Sequence, residues 1–142
     1  MNTKQLGNIG EAYALAKLVE LGIPVYQQFG ENEPADFIIL VNDVPLKVQV
    51  KSSKNYNGEK TIFDLTSSVN GTRNKYSTQK VDVFLCYDIQ TGEIFIIKNT
   101  GDMSTFAIRY TKPKNNQTKG INFYSDYILD MNTLSRVVLH SI

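Results

Sequence analysis

Four polar side chains in the first 51 residues have the types and spacing of a metal-assisted site. They are Glu11, Asp36, Gln49 and Lys51. Asp36 and the Gln49 amide oxygen are hard oxygen ligands of the kind that Mg²⁺ takes in proteins, with water and a substrate phosphate completing the shell. The Lys51 ammonium could orient a water molecule or stabilise charge on a scissile phosphate. These residue types suit chemistry at a phosphate, provided that the fold brings them together.

The elements that must position these residues are predicted by hydrophobic spacing. Residues 4–21 have apolar positions at helical spacing, and Glu11 lies on the Leu15 and Leu18 side of this helix, so it can face a sheet. Residues 36–41 and 46–51 have the pattern of a β-hairpin with its turn at Asn42-Asp43. Because side chains alternate along a strand, Gln49 and Lys51 share a face, and the hairpin brings Asp36 close to them.

The remaining pattern predicts an α+β fold. Further strands are expected over 23–29, 60–66, 81–87, 93–98 and 104–110, with a polar segment over 67–80, a loop over 111–120 and a short helix around 126–134. This order favours a mixed or antiparallel sheet covered by the N-terminal helix. No repeat, low-complexity tract or linker interrupts the chain, so residues 1–142 are expected to form one domain.

Composition excludes several classes of protein. The 142 residues are 42% hydrophobic, which is typical of a globular chain and not of a disordered one. One cysteine, Cys86, excludes a disulfide scaffold and a cysteine-based zinc site, and its apolar neighbours predict a buried, inert thiol. No apolar run is long enough for a signal peptide or a membrane span, so we expect a cytoplasmic protein with no membrane partner.

Charge is distributed unevenly along the chain. The formal net charge is only +1, but residues 1–41 have two basic and five acidic side chains, whereas residues 42–80 have seven basic and three acidic ones. Residues 81–142 have six of each sign. A net charge close to zero therefore conceals a basic middle segment that could contact a polyanion.

The motifs resemble those of the PD-(D/E)XK nuclease superfamily. The resemblance lies in Gly7-Asn8-Ile9-Gly10-Glu11, Pro34-Ala35-Asp36 and, twelve residues later, Gln49-Val50-Lys51. Among compact members it is closest to the group I intron homing endonucleases of cyanobacterial type and is also similar to archaeal Holliday junction resolvases. At motif level it covers residues 4–53. Two departures stand out, because Ala35 separates Pro34 from Asp36 and Gln49 replaces the usual acid.

This resemblance implies a restriction-endonuclease-like fold and a role for each site residue. Glu11, Asp36 and Gln49 would bind Mg²⁺, with Mn²⁺ as a substitute, and Lys51 would assist phosphodiester hydrolysis. The substrate would be double-stranded DNA cut at a specific sequence, in a bacterial or archaeal cell. Since two strands need two active sites, a homodimer is the minimum, and the resembled homing enzymes form tetramers.

Two polar segments beside the site have the side chains that read DNA. Arg and Lys bind guanine and phosphates, whereas Asn and Gln bind adenine. The predicted DNA-binding residues are Lys47, Ser53, Lys54, Asn55, Tyr56, Asn57, Lys60, Arg73, Asn74, Lys75, Tyr76, Gln79 and Lys80. A third basic stretch, 112–119, has three lysines and no acid.

Other interpretations of the same residues remain open at the sequence level. Gln49 and Lys51 could be the solvated face of an edge hairpin, Glu11 could be helix surface, and the basic stretches could be ordinary soluble loops. His140 is expected to be a packed or frayed terminal residue and not a general base. The alternative functions are a Holliday junction resolvase and a DNA-binding domain that lacks catalysis.

Overall fold

A computed structural model of the chain describes residues 1–30, 32–117 and 119–139, so His140 lies outside the described residues. These residues form helices α1 (Thr3–Glu20) and α2 (Met131–Leu139) and a 3-10 turn at Tyr124–Asp126. The strands are β1 (Val25–Gln27), β2 (Phe37–Val41), β3 (Val44–Ser53), β4 (Lys60–Asp64), β5 (Thr66–Val69), β6 (Thr72–Lys75), β7 (Val83–Asp88), β8 (Ile94–Lys98) and β9 (Thr105–Arg109).

A five-stranded mixed sheet in the order β1-β2-β3-β7-β8 forms the centre of the fold. The β3–β7 pair is parallel, with Gln49 opposite Phe84 and Lys51 opposite Cys86, and the other pairs are antiparallel. Two smaller antiparallel pairs, β4–β9 and β5–β6, complete the strands. The predicted α+β class, with a mixed sheet and an N-terminal helix, is confirmed.

The two faces of the sheet are covered differently. On one face, apolar side chains of β2, β3 and β7 pack against Ala14 and Leu18 of α1 and against α2. On the other face, Phe84, Cys86 and Phe95 pack against residues of β4 and β9. Side chains alternate, so the β3 residues Lys47, Gln49 and Lys51 point away from the α1 face, while Leu46, Val48 and Val50 point towards it.

Two local features have bounds or structure that the sequence pattern did not give. The polar segment 67–80 contains most of the β5–β6 hairpin, whose turn residues Asn70 and Gly71 both have positive φ (52° and 79°). Asn-Gly is typical of this turn and is the strongest local signal for a hairpin. The C-terminal helix begins at Met131 and not near residue 126, because Asp130 and Thr133 exchange capping hydrogen bonds of 2.8 and 3.0 Å.

The prediction for Cys86 is confirmed, since its side chain is fully buried and burial raises the pKa of the thiol. Neither α1 nor α2 combines the length and the apolar composition needed to cross a membrane.

Candidate active site

Asp36 lies where β2 begins and is held against β3. Its backbone N–H donates to the Val48 carbonyl at 2.8 Å, and its carboxylate Oδ2 accepts the Val50 N–H at 2.9 Å. The β2–β3 register, with Phe37 opposite Val48, places Asp36 opposite Gln49 when it is extended by one residue. The predicted proximity of Asp36 and Gln49 therefore follows from strand pairing.

The Gln49 side chain has an oxygen without a partner. Its Nε2 donates weakly to the Val50 carbonyl at 3.3 Å, whereas Oε1 is buried and accepts no hydrogen bond from the described residues. A buried acceptor left unsatisfied costs about 1–3 kcal/mol. The amide oxygen is therefore the kind of atom that a cation or a water molecule would satisfy.

Lys51 lies two residues further along β3. Its Nζ donates to the Thr66 carbonyl at 2.7 Å and lies 4.9 Å from the centroid of the Tyr76 ring. Lys51 also acts electrostatically on the Asp36 carboxylate, whose charged form it favours. The charge of the amine therefore acts on the carboxylate.

Glu11 and Asp36 line one open pocket of about 460 Å³. Gln27, Gln28, Gly30 and Glu33 complete its wall. The two carboxylates also interact electrostatically, because Asp36 disfavours the charged form of Glu11. The structure thus brings the helix carboxylate and the strand carboxylate to one cavity.

Both carboxyl groups have raised pKa values. Desolvation raises the pKa of Glu11, and the neighbouring Asp36 charge adds to it. Desolvation also raises the pKa of Asp36, although the Val50 N–H and the Lys51 charge oppose the shift. A bound cation would stabilise the charged forms of two half-buried carboxylates that repel each other. Raised pKa values of this kind are common at metal-binding and catalytic sites.

Helix α1 reaches this position because Gly10 packs directly on β3. A Cβ atom placed on Gly10 would clash with Ser52 Oγ and would lie 3.2 Å from Ser52 Cβ and 3.3 Å from Tyr87 Cβ. Only glycine allows the helix to approach the strand this closely. The predicted Gly-Glu pair thus combines close packing at Gly10 with a carboxylate at Glu11.

The oxygen atoms of Glu11, Asp36 and Gln49 are of the chemical type that binds divalent cations. The described residues contain no group of three His, Cys, Asp or Glu side chains placed to hold a metal. The Gln49 amide oxygen, which such a count omits, is buried at the β3 position opposite Asp36 and does not line the pocket that Glu11 and Asp36 share. A mixed carboxylate and amide set favours Mg²⁺, Ca²⁺ or Mn²⁺ over zinc.

Part of the predicted DNA-binding set surrounds one cleft beside this site. Lys75, Tyr76 and Lys80 line a pocket of about 490 Å³ together with Asn32, Glu33, Pro34, Ser67 and Ser77. Lys47 and Gln79 line an adjoining pocket that also includes Asp36, and Lys47 Nζ donates to the Gln79 carbonyl. The lysines of β3, β6 and the following turn therefore lie along one approach to Asp36.

Arg73 and Asn74 lie on opposite faces of the exposed β5–β6 hairpin. Arg73 shares its face with Ser68 and forms a 2.8 Å ion pair with Asp64. Burial raises the pKa of Asp64, but hydrogen bonds from Thr66 and the charge of Arg73 outweigh it and lower the pKa overall. Asn74 is opposite Ser67 and is exposed.

The remaining predicted residues lie in and around the β3–β4 connection. Ser53 is only 6% exposed, and its hydroxyl is already engaged with the Ile62 carbonyl at 2.6 Å and the Asn55 N–H at 3.0 Å. Asn57 Oδ1 accepts the Glu59 and Lys60 N–H groups, which fixes the turn. Lys54, Asn55 and Tyr56 are exposed, so this loop can offer side chains to a ligand, whereas Ser53 is a structural residue.

Gln28 is a site residue that the sequence analysis did not identify. Its Nε2 donates to the Glu33 and Ala35 carbonyls at 3.0 and 2.9 Å, and its Oε1 accepts the Glu33 N–H at 3.1 Å. The side chain thus ties the end of β1 to the segment that leads into Asp36. The signal available in the sequence was a polar residue at the end of a predicted strand, just before the loop that runs from Gly30 to Pro34.

Comparison with known proteins identifies the family to which this chain belongs. The PD-(D/E)XK endonuclease family profile matches residues 1–130. The chain belongs to the PD-(D/E)XK endonuclease family. Membership makes it a nuclease domain, and nucleases of this family generally use divalent metal ions.

One solved structure of the same fold is a bacterial homing endonuclease, I-Ssp6803I. The superposition has a TM-score of 0.74 at 19% sequence identity and covers 99% of this chain and 95% of that chain. The restriction-endonuclease-like fold is thereby confirmed. No curated protein sequence matches the chain.

Proposed function

We propose that this protein is a Mg²⁺-dependent endonuclease that cuts double-stranded DNA at a specific sequence, encoded within an intron as a homing enzyme. Mn²⁺ would substitute for Mg²⁺, and the site would act in the cytoplasm on the DNA of the host cell. The whole chain, residues 1–142, would form a single nuclease domain.

The buried, unpaired oxygen of Gln49 carries this proposal. It lies opposite Asp36 by strand register, at the position to which the resemblance to PD-(D/E)XK nucleases assigns a metal ligand. An amide on the solvated face of an edge strand would have its oxygen in water, and this one does not. The donor set therefore supports a metal site with glutamine in place of the usual acid.

Each site residue has a distinct role in the proposed reaction. Glu11, Asp36 and Gln49 would hold the cation, which would supply a polarised phosphate and a more acidic water molecule when bound. Lys51 would donate to a non-bridging phosphate oxygen or to the attacking water, and so stabilise the charge that grows as the water adds to phosphorus. The Thr66 carbonyl accepts one of the three N–H groups of this ammonium, so the others can donate to the substrate.

The DNA would lie along the cleft lined by Lys47, Lys75 and Lys80. The two-stranded β5–β6 ribbon has a size that fits a major groove, where Asn74 could read adenine. Cutting both strands needs two active sites, so we propose a homo-oligomer, at least a dimer, and a tetramer as in the resembled homing enzymes.

A cleavage assay tests the proposal. The protein is incubated with Mg²⁺ and either random-sequence linear DNA or a four-way junction, and Asp36→Asn and Lys51→Ala serve as matched inactive variants. We expect cleavage of linear DNA at a fixed sequence, lost in both variants, with DNA binding retained.

Two results would contradict this proposal. Cutting of the junction without sequence preference would show a resolvase. Binding to DNA without cleavage under any divalent metal would show a domain that has lost catalysis.

A further inference from the structure

Both contacts of the Lys51 ammonium come from the base of the β5–β6 hairpin. Thr66, whose carbonyl accepts from Nζ at 2.7 Å, is the first residue of β5. Tyr76, whose ring centroid lies 4.9 Å from Nζ, follows directly after Lys75, the last residue of β6. Thr66 and Lys75 are paired in the ribbon, so the two contacts are neighbours in space.

Tyr76 is fixed in place by buried groups. Its ring meets the fully buried Phe84 edge-to-face at 5.6 Å and an interplanar angle of 71°. Its carbonyl accepts from Asn99 Nδ2 at 3.0 Å, and the same amide donates to the Val81 carbonyl at 2.9 Å. Asn99 is buried, so the Tyr76 backbone is anchored to the end of β8.

This fixed ring restricts a flexible side chain. A lysine has four rotatable bonds and an ammonium with three donors, so it can adopt many conformations when nothing holds it. The face of an aromatic ring attracts the ammonium, and the Thr66 carbonyl accepts only one of the three N–H groups, which leaves the others for a substrate. A ring that is itself fixed on Phe84 therefore defines where the Lys51 amine can lie.

We propose that Tyr76 is a positioning residue that holds the Lys51 ammonium beside Asp36, and that it is not a DNA contact. The inference rests on the proposed function, because it assigns a role to Lys51 in cleavage. It also gives the base of the hairpin a part in the chemical step, separate from any DNA contact made by its exposed residues.

Matched substitutions at Tyr76 test the inference. Tyr76→Phe retains the ring face, whereas Tyr76→Leu retains apolar packing on Phe84 and removes the face. In single-turnover and steady-state cleavage, we expect Tyr76→Leu to lower kcat about three- to thirtyfold, the range for loss of one cation–π contact. KM and the DNA affinity measured in Ca²⁺ should stay within about twofold of the wild type, and Tyr76→Phe should cleave nearly as the wild type does.

A second measurement does not depend on cleavage. The Tyr76 ring should shift the NMR resonances of the Lys51 ε-methylene group, and this shift should persist in Tyr76→Phe and disappear in Tyr76→Leu. If the wild type cuts no DNA, the proposed function fails, while this signature still tests the contact. The inference is overturned by an unshifted Lys51 resonance, by equal loss of kcat in both variants, or by lost DNA affinity with unchanged kcat.

Discussion

At the scale of single residues, the site is defined by groups whose charges and hydrogen bonds are incompletely satisfied. Gln49 has a buried oxygen that accepts no hydrogen bond within the described part of the chain, and Glu11 and Asp36 have carboxyl groups with raised pKa values. Such features cost stability in the protein without a metal and are repaid when a cation binds. Substitutions that remove these groups should therefore stabilise the metal-free protein and abolish cleavage.

Replacing Gln49 with Met tests the cost of its unpaired oxygen. The thioether fills a similar volume without a buried acceptor, so we expect the free energy of unfolding in EDTA to rise by up to about 1 kcal/mol. Cleavage should be lost at every Mg²⁺ concentration. Denaturant unfolding and a Mg²⁺ titration of cleavage measure the two effects, and a less stable variant would show that the oxygen has a partner in solution.

The stability of the metal-free protein should depend on pH through Asp36. Since its folded pKa is raised, the folded state binds more protons than the unfolded state between the ordinary and the raised pKa. Stability should therefore be highest below that window and fall as the pH rises through it. Asp36→Asn, which has no charge, should be more stable than the wild type at pH 7.

Urea unfolding in EDTA from pH 3.5 to pH 8 measures this difference between Asp36→Asn and the wild type. The difference should shrink as the pH falls and the wild-type carboxyl group is protonated. A wild type that gains stability relative to the variant as the pH rises would contradict the raised pKa.

At the scale of elements, the close packing of α1 on β3 brings Glu11 to Asp36. Two glycines of this helix differ in their surroundings, because a Cβ on Gly7 would meet nothing within 4 Å, whereas one on Gly10 would meet Ser52 and Tyr87. Helix propensity favours alanine over glycine by about 1 kcal/mol at both positions. Packing alone therefore distinguishes them.

We expect opposite effects of alanine at the two glycines. Gly7→Ala should stabilise the protein by up to about 1 kcal/mol with unchanged cleavage. Gly10→Ala should destabilise it by about 1–3 kcal/mol, because the helix must move away from β3, and it should reduce cleavage by displacing Glu11. Thermal unfolding and cleavage rates measure both, and equal effects of the two changes would show that α1 does not pack closely at Gly10.

At the scale of the whole molecule, the uneven charge along the chain becomes an arrangement in space. The acidic first segment supplies Glu11 and Asp36, while the basic middle segment supplies the lysines along the neighbouring cleft. A nuclease needs this separation, because carboxylates gathered for a cation would otherwise repel the phosphates of DNA.

The middle basic segment should determine the salt dependence of DNA binding. Replacing Arg73, Lys75 and Lys80 with Ala should weaken DNA binding. The slope of log affinity against log salt concentration should decrease in magnitude by about two to three. Arg73 should contribute least, because Asp64 already pairs with it. Lys17→Ala on α1, where Lys17 pairs with Glu20, is the control. Unchanged affinity across a salt titration of the triple variant would exclude this surface.

The sequence by itself predicted the helix, the β2–β3 hairpin and the neighbouring positions of Asp36, Gln49 and Lys51 on that hairpin, whereas the approach of Glu11 to Asp36 depends on the packing of α1. The helix and the hairpin follow from local rules, because helical spacing, strand alternation and a short turn fix which side chains share a face. It did not predict that β3 and β7 pair in parallel, that Gln28 ties the loop before Asp36, or that Tyr76 lies against Lys51. The Gln28 contacts depend on the conformation of a loop, and the other two depend on how separate elements pack, so local rules do not fix them and only the tertiary structure decided them.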